Sequence, residues 1–238
     1  MLAMLDFQNP VLWAVVIAWI MSVVLHEFAH GIVAYWGGDY TIRERGGLTL
    51  NPLQYIDPFM SIILPVIFLA MGGIPLPGGS TFVRRDLLRS KAWSTAVSLA
   101  GPAMNFLIFL GFCVLLHPRV GWIDPHLAVV DWSTPQKFVG AMAFLQLFSV
   151  LLNLVPVPPL DGFQAISPYL PQEWVEQVTR PPTSTTILIC FFLVVSQYPP
   201  FYNGMTGCIS QVLSALGVDP ASTLDAFQEA FRETSRHQ

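Results

Sequence analysis

The chain has 238 residues, of which 53% are hydrophobic and only 11% charged, against roughly 25% charged in an average soluble domain. That deficit excludes a disordered chain and argues against a water-soluble globule. The formal net charge of −4, from 11 basic and 15 acidic residues, gives no electrostatic footprint for a nucleic-acid partner.

Charge is unevenly placed. Residues 7–26, 59–83, 92–118, 138–160 and 181–218 contain no Asp, Glu, Lys or Arg, and several of these runs reach the roughly 20 residues that a helix needs to cross a bilayer. They predict an all-α polytopic membrane protein with lipid as its solvent, a bundle of about four or five transmembrane or re-entrant apolar segments. The opening stretch MLAMLDFQNP lacks the basic region of a cleavable signal peptide, so the first apolar run is expected to be retained. A first helix over about 10–36 starts at Pro10, whose missing N–H is harmless there, and ends at Gly37-Gly38. Residues 39–57 read as turns, with Arg43, Arg45, Gly46-Gly47 and Asn51-Pro52. The apolar piece 58–77 is interrupted by Pro65 and GGIPLPGG, which predicts a re-entrant excursion.

After the basic cluster of Arg84, Arg85, Arg89 and Lys91, a helix is expected over 92–116. Another is expected over 138–156, where VPVPPL breaks it, and a weaker one over 183–198 before Pro199-Pro200. Residues 1–198 then form the membrane-embedded unit. The tail 199–238, with Leu224, Phe227 and Phe231 spaced along a polar segment, is expected to carry an interfacial amphipathic helix. Cys113, Cys190 and Cys208 have no paired spacing and read as packing residues.

The chemistry lies in the first helix, in His26-Glu27-Phe28-Ala29-His30. Residues four apart share a helix face, so both imidazoles can aim at one zinc ion. Glu27, rotated by about 100° from His26, stays beside the metal and free to take a proton from water. The alternative is a polar cluster satisfied within the bundle, but a Glu at the centre of a membrane helix costs roughly 2.5–3.5 kcal/mol on insertion scales. Zinc held by two His needs a further ligand. Asp161 is the sole acidic residue between Lys137 and Pro168 and lies just past an apolar helix, which makes it the evident donor; an interfacial turn Asp beside Gly162 is the alternative.

HEFAHG together with NLVPVPPLDG resembles the site-2 protease family of zinc intramembrane metalloproteases (peptidase family M50). Gly101-Pro102-Ala103-Met104-Asn105, LTLNPLQYIDP at 48–58 and the PLP turn at 75–77 are similar to the compact bacterial and archaeal branch without a PDZ domain. The resemblance covers most of residues 10–170. It implies a three-helix catalytic core, one zinc per chain held by His26, His30 and Asp161, Glu27 as general base and acid, and Asn153 as donor to the tetrahedral oxyanion. It also implies a transmembrane-helix protein as substrate and the cell membrane as location. For Asn153 an interhelical hydrogen bond is an equal reading, and for Asn105 it is the better one. The functional alternative is a non-proteolytic multi-pass protein, adaptor or transporter, that keeps a structural metal site.

The metal constrains topology. His26 and His30 lie toward the end of their helix and Asp161 just beyond the end of its own, so the two helices must cross in the same direction. That requires an even number of crossings between them, and a re-entrant 58–77 supplies it. All six basic residues between 43 and 91 then share one side, which the positive-inside tendency makes cytoplasmic.

Overall fold

The computed structural model describes residues 8–63, 65, 78–124 and 127–231, which contain helices and no strands. Three helices are long and apolar enough to cross a membrane: α1 (Pro10–Gly37), α3 (Lys91–Leu116) and α4 (Thr134–Asn153). Helices α6 (Gln172–Thr179) and α7 (Thr183–Gln197), bent by 71° where they meet, make a fourth if taken as one broken span. Shorter pieces are α2 (Thr41–Glu44), α5 (Asp161–Ile166), α8 (Pro199–Ala215) and α9 (Pro220–Phe231).

Local chemistry sets the ends. Asn9 Oδ1 accepts from the Val11 N–H at 2.9 Å and Pro10 occupies the first turn of α1. Gly38, at φ 122°, takes the chain out of that helix in a conformation that side-chain-bearing residues avoid. Ser90 caps α3 by accepting from the Trp93 N–H. Ser133 and Gln136 form a capping box on α4. That box explains why α4 begins at Thr134, four residues ahead of the expected 138, and the helix stops at Asn153 before the prolines. Lys137, which ended the charge-free run, sits inside the helix with its Nζ 2.8 Å from Glu229 Oε2 on α9.

Packing fixes direction. At one end of the bundle Val11, Leu12 and Val15 of α1 pack with Ala141, Met142 and Leu145 of early α4 and with Phe112 of late α3. At the other end Ala34 of α1 packs with Val97 of early α3. Helices α1 and α4 therefore run the same way and α3 runs against them. Residues 64 and 66–77 of the expected re-entrant segment, with the PLP turn, lie outside the described residues, but its two ends meet. Ser80 N–H donates to the Tyr55 carbonyl at 3.1 Å, and Ser61 Oγ donates to the Gly78 carbonyl at 2.6 Å. Arg45 Nη1 reaches the Phe82 carbonyl at 2.9 Å, and the Arg84 N–H reaches Asp39 Oδ2 at 2.8 Å. The chain leaves and returns at the same end of the bundle.

The tail folds onto the bundle. Helix α9 buries Ala226, Ala230 and Phe231, with Ala226 Cβ close over Gly140 and the Phe227 ring tilted by 30° against Phe144 at 4.8 Å between centroids. Its apolar face meets α4 where the sequence suggested a bilayer interface, because the small residue at 140 leaves room for it.

Single cysteines at Glu44→Cys and Leu87→Cys, in a background with the native cysteines replaced, should label from the same side of a sealed vesicle with a membrane-impermeant thiol reagent. Labelling from opposite sides would mean that 58–77 makes a net crossing.

Candidate metal centre

His26 and His30 lie one turn apart on α1, both 7% exposed, with rings 4.8 Å apart and edge to face. Asp161 opens α5, which the chain reaches by doubling back after α4. A Cβ on Gly162 would overlap the Leu154 carbonyl, so the turn closes because that position carries no side chain. The carboxylate arrives with Oδ2 3.1 Å from His26 Nε2 and Oδ1 3.4 Å from His30 Nε2. The donor atoms of all three residues fall within 4.8 Å of one another.

The protonation pattern follows from the partners. His30 Nδ1 is 2.6 Å from the Val97 carbonyl. A carbonyl can only accept, so Nδ1 carries a proton; Nε2 faces Asp161, to which it donates when the ring is protonated, and offers a lone pair to a metal ion when the ring is neutral. His26 Nδ1 is buried without a partner among the described residues. The donor set, two imidazole nitrogens and a carboxylate, is that of zinc sites with an open position. The hydrogen bond from Nδ1 to a backbone carbonyl is the support that orients a ligating imidazole.

Helix α3 shapes the other wall. A Cβ on Gly101 would overlap Nε2 of both His26 and His30. The contact of this glycine with the imidazoles is visible only once α3 is set antiparallel against α1. Glu27 is 6% exposed, and the extended stretch after the re-entrant segment lies along it. A Cβ on Gly79 would stand 3.1 Å from Glu27 Cγ, and Thr81 Oγ1 donates to the Glu27 carbonyl at 3.3 Å. Asn153, the last residue of α4, donates from Nδ2 to Ser149 Oγ at 3.2 Å. Asn105 makes the interhelical bond expected of it, from Nδ2 to the same Ser149 Oγ at 2.9 Å.

Sequence reasoning missed Arg85. Its guanidinium lies on the start of α3, with Nη1 2.6 Å from Ser94 Oγ and Nη2 2.9 Å from Ser98 Oγ, and its burial pulls its pKa down from the usual arginine range. The signal was the serine pair four residues apart, which matches a helix face.

Gly101→Val should leave the bundle assembled and weaken zinc binding by roughly 10- to 100-fold, the cost typical of disturbing the surroundings of a ligand. Metal content after dialysis against a graded chelator checks this. Full zinc occupancy in the variant would show that the imidazoles do not need this close approach.

Over 182 residues the chain is 39% identical to the protein named "Putative zinc metalloprotease Rip2" of Mycolicibacterium smegmatis, an alignment covering 76% of this chain and 66% of that protein. The chain thus spans just under two thirds of that relative's length. It is 40% identical over 190 residues to the protein of the same name from Mycobacterium tuberculosis, covering 80% of this chain and 68% of the relative. It is 32% identical over 206 residues to "Putative zinc metalloprotease YwhC" of Bacillus subtilis, covering 84% and 91%. No family model matches the chain, and no solved structure matches it significantly.

Proposed function

Because the chain belongs to the site-2 protease family of zinc metalloproteases, we propose that it is an intramembrane endopeptidase, with His26, His30 and Asp161 as zinc ligands and Glu27 as general base. The observation that carries this is the approach of one carboxylate to two imidazole Nε2 atoms, at 3.1 and 3.4 Å, from 135 residues away in the chain. Its substrates are membrane proteins cut within or near a transmembrane helix, and its location is the cell membrane. The basic residues at the end of the bundle where the site lies put that end at the cytoplasmic face.

Zinc in such a site polarises the scissile carbonyl and makes the attacking water more acidic. The rest of the chemistry falls to side chains. Glu27 is adjacent in sequence to one imidazole yet rotated off the ligand face, so its carboxylate takes the proton from the attacking water. It then returns that proton to the nitrogen of the departing amine. His30 keeps its orientation through the Nδ1–H bond to Val97, and Gly101 leaves the space that the two rings need. The Asn153 amide carries two N–H groups; one is spent on Ser149, and the other is available to the oxyanion.

Purified wild type and Glu27→Gln, compared on a single-span reporter protein in detergent, test the reading. Zinc content should be equal, and cleavage by the variant should fall by about 10²- to 10⁴-fold, the usual share of a general base. Cleavage at the wild-type rate by Glu27→Gln would refute its role. A zinc-loaded wild type that cuts no reporter, with His26→Ala losing both metal and stability, would point instead to a structural metal site.

A further inference from the structure

Asn105 and Ser149 take no part in the chemistry above, yet both are buried in the apolar interior, at 3% and 6% exposure. A buried amide and hydroxyl at the meeting of two membrane helices are costly unless they bond. They do bond to each other, while Asn105 Oδ1 is buried without a partner among the described residues. Ser149 Oγ lies between two amides, 2.9 Å from Asn105 Nδ2 on α3 and 3.2 Å from Asn153 Nδ2 one turn further along α4. A hydroxyl oxygen has two lone pairs, so it accepts from both. Either orientation of the Asn105 amide keeps its bond to Ser149.

Asn153 needs such a support. It is the last residue of α4, half-buried, and the chain beyond it turns away through Pro156, Pro158 and Pro159 toward Asp161. A terminal side chain with free rotamers would lose orientational advantage at each turnover. Asn105 is well placed to prevent that. It lies four residues, about 6 Å along the axis, beyond Gly101, and eight beyond Val97. The three share one stripe of α3. Val97 holds the His30 ring, Gly101 admits both imidazoles, and Asn105 reaches Ser149.

We propose that Asn105 and Ser149 are positioning residues that hold the Asn153 amide at the bond being cut, so that one face of α3 sets both the metal-binding imidazoles and the oxyanion donor. The inference rests on the peptidase reading and extends it to two residues that touch neither metal nor substrate.

The test compares Asn105→Ala, Ser149→Ala, Ser149→Thr and Asn153→Ala, and the double variant Asn105→Ala with Asn153→Ala, on the single-span reporter. Zinc content and Tm in detergent are measured for each. Asn153→Ala should lower kcat by about 10²-fold, as removal of one oxyanion donor does. Asn105→Ala and Ser149→Ala should each lower kcat by roughly 10-fold or more through misplacement of that donor, with KM and zinc content unchanged. Ser149→Thr, which keeps the hydroxyl, should restore the rate. In the double variant, loss of Asn105 should add nothing to loss of Asn153. Wild-type kcat in Ser149→Ala beside a slow Asn153→Ala would overturn the positioning role, as would additive losses in the double variant. Wild-type kcat in Asn153→Ala would instead remove the oxyanion assignment on which it rests. If Asn105→Ala does not fold, Ser149→Ala against Ser149→Thr decides the question alone.

Discussion

Two imidazoles and a carboxylate are held within 4.8 Å of one another inside a bundle whose outer faces are apolar, and bringing them together constrains the rest of the molecule. In water such a group would be screened. Within a membrane helix bundle the dielectric is low, so the carboxylate needs a positive partner, either a protonated imidazole or a bound cation. The fold brings them together regardless, with Asp161 carried back to α1 by a turn that depends on a bare Cα at Gly162. A stable protein with no use for a cation would have little reason to retain that juxtaposition. The family to which the chain belongs supplies the use.

Helix α3 contributes no ligand, yet it determines the geometry. Its backbone carbonyl at Val97 fixes the tautomer of His30, and its glycine at 101 allows the axes of α1 and α3 to approach where the rings project. Both contributions come from main chain or from the lack of a side chain. Membrane helices have no hydrophobic drive toward one another, so small residues and internal hydrogen bonds decide where they meet. Here Gly101 leaves the room on α3 into which α1 projects the two imidazoles of the candidate site.

Much of this was legible in sequence because the relevant spacing is covalent. His26 and His30 are four apart on a helix whose apolar length and glycine stop can be read directly, and Asp161 stands out as an isolated acid beside an apolar run. The parallel course of α1 and α4 was also accessible, since a shared metal demands it. What escaped depended on partners remote in sequence. The start of α4 was placed too late because Lys137 reads as an end of the apolar span, when Glu229 pairs with it across α9. The amphipathic pattern of the tail is the same whether its apolar face meets lipid or another helix, and only the small residue at Gly140 distinguishes them. Gly101 and Arg85 have roles defined by what lies opposite, which periodicity alone does not report.

The distribution of irregular backbone follows from the same constraint. Lipid tolerates unpaired N–H and C=O groups only where protein or a water-lined cavity faces them. In this chain the irregular stretches around 45–57 and 78–90, with short 3-10 turns at Pro52–Tyr55 and Arg85–Leu87, gather at the end of the bundle that holds the candidate metal site, tied by Arg45, Asp39 and Tyr55. Asp39 has no exposed surface and accepts from Arg45 Nη2 at 2.9 Å and from the Arg84 N–H, so one carboxylate fastens the chain on both sides of the excursion. The opposite end carries its own irregular connection, between Leu116 and Thr134, beside the apolar packing of Val11, Leu12, Met142 and Phe231. For the peptidase reading proposed above, water and an unwound substrate would meet the end of the bundle where the candidate site and its hydrogen-bonded loops lie. Fastening both sides of the excursion through Asp39 therefore keeps the backbone beside the candidate site paired, as a lipid surrounding demands.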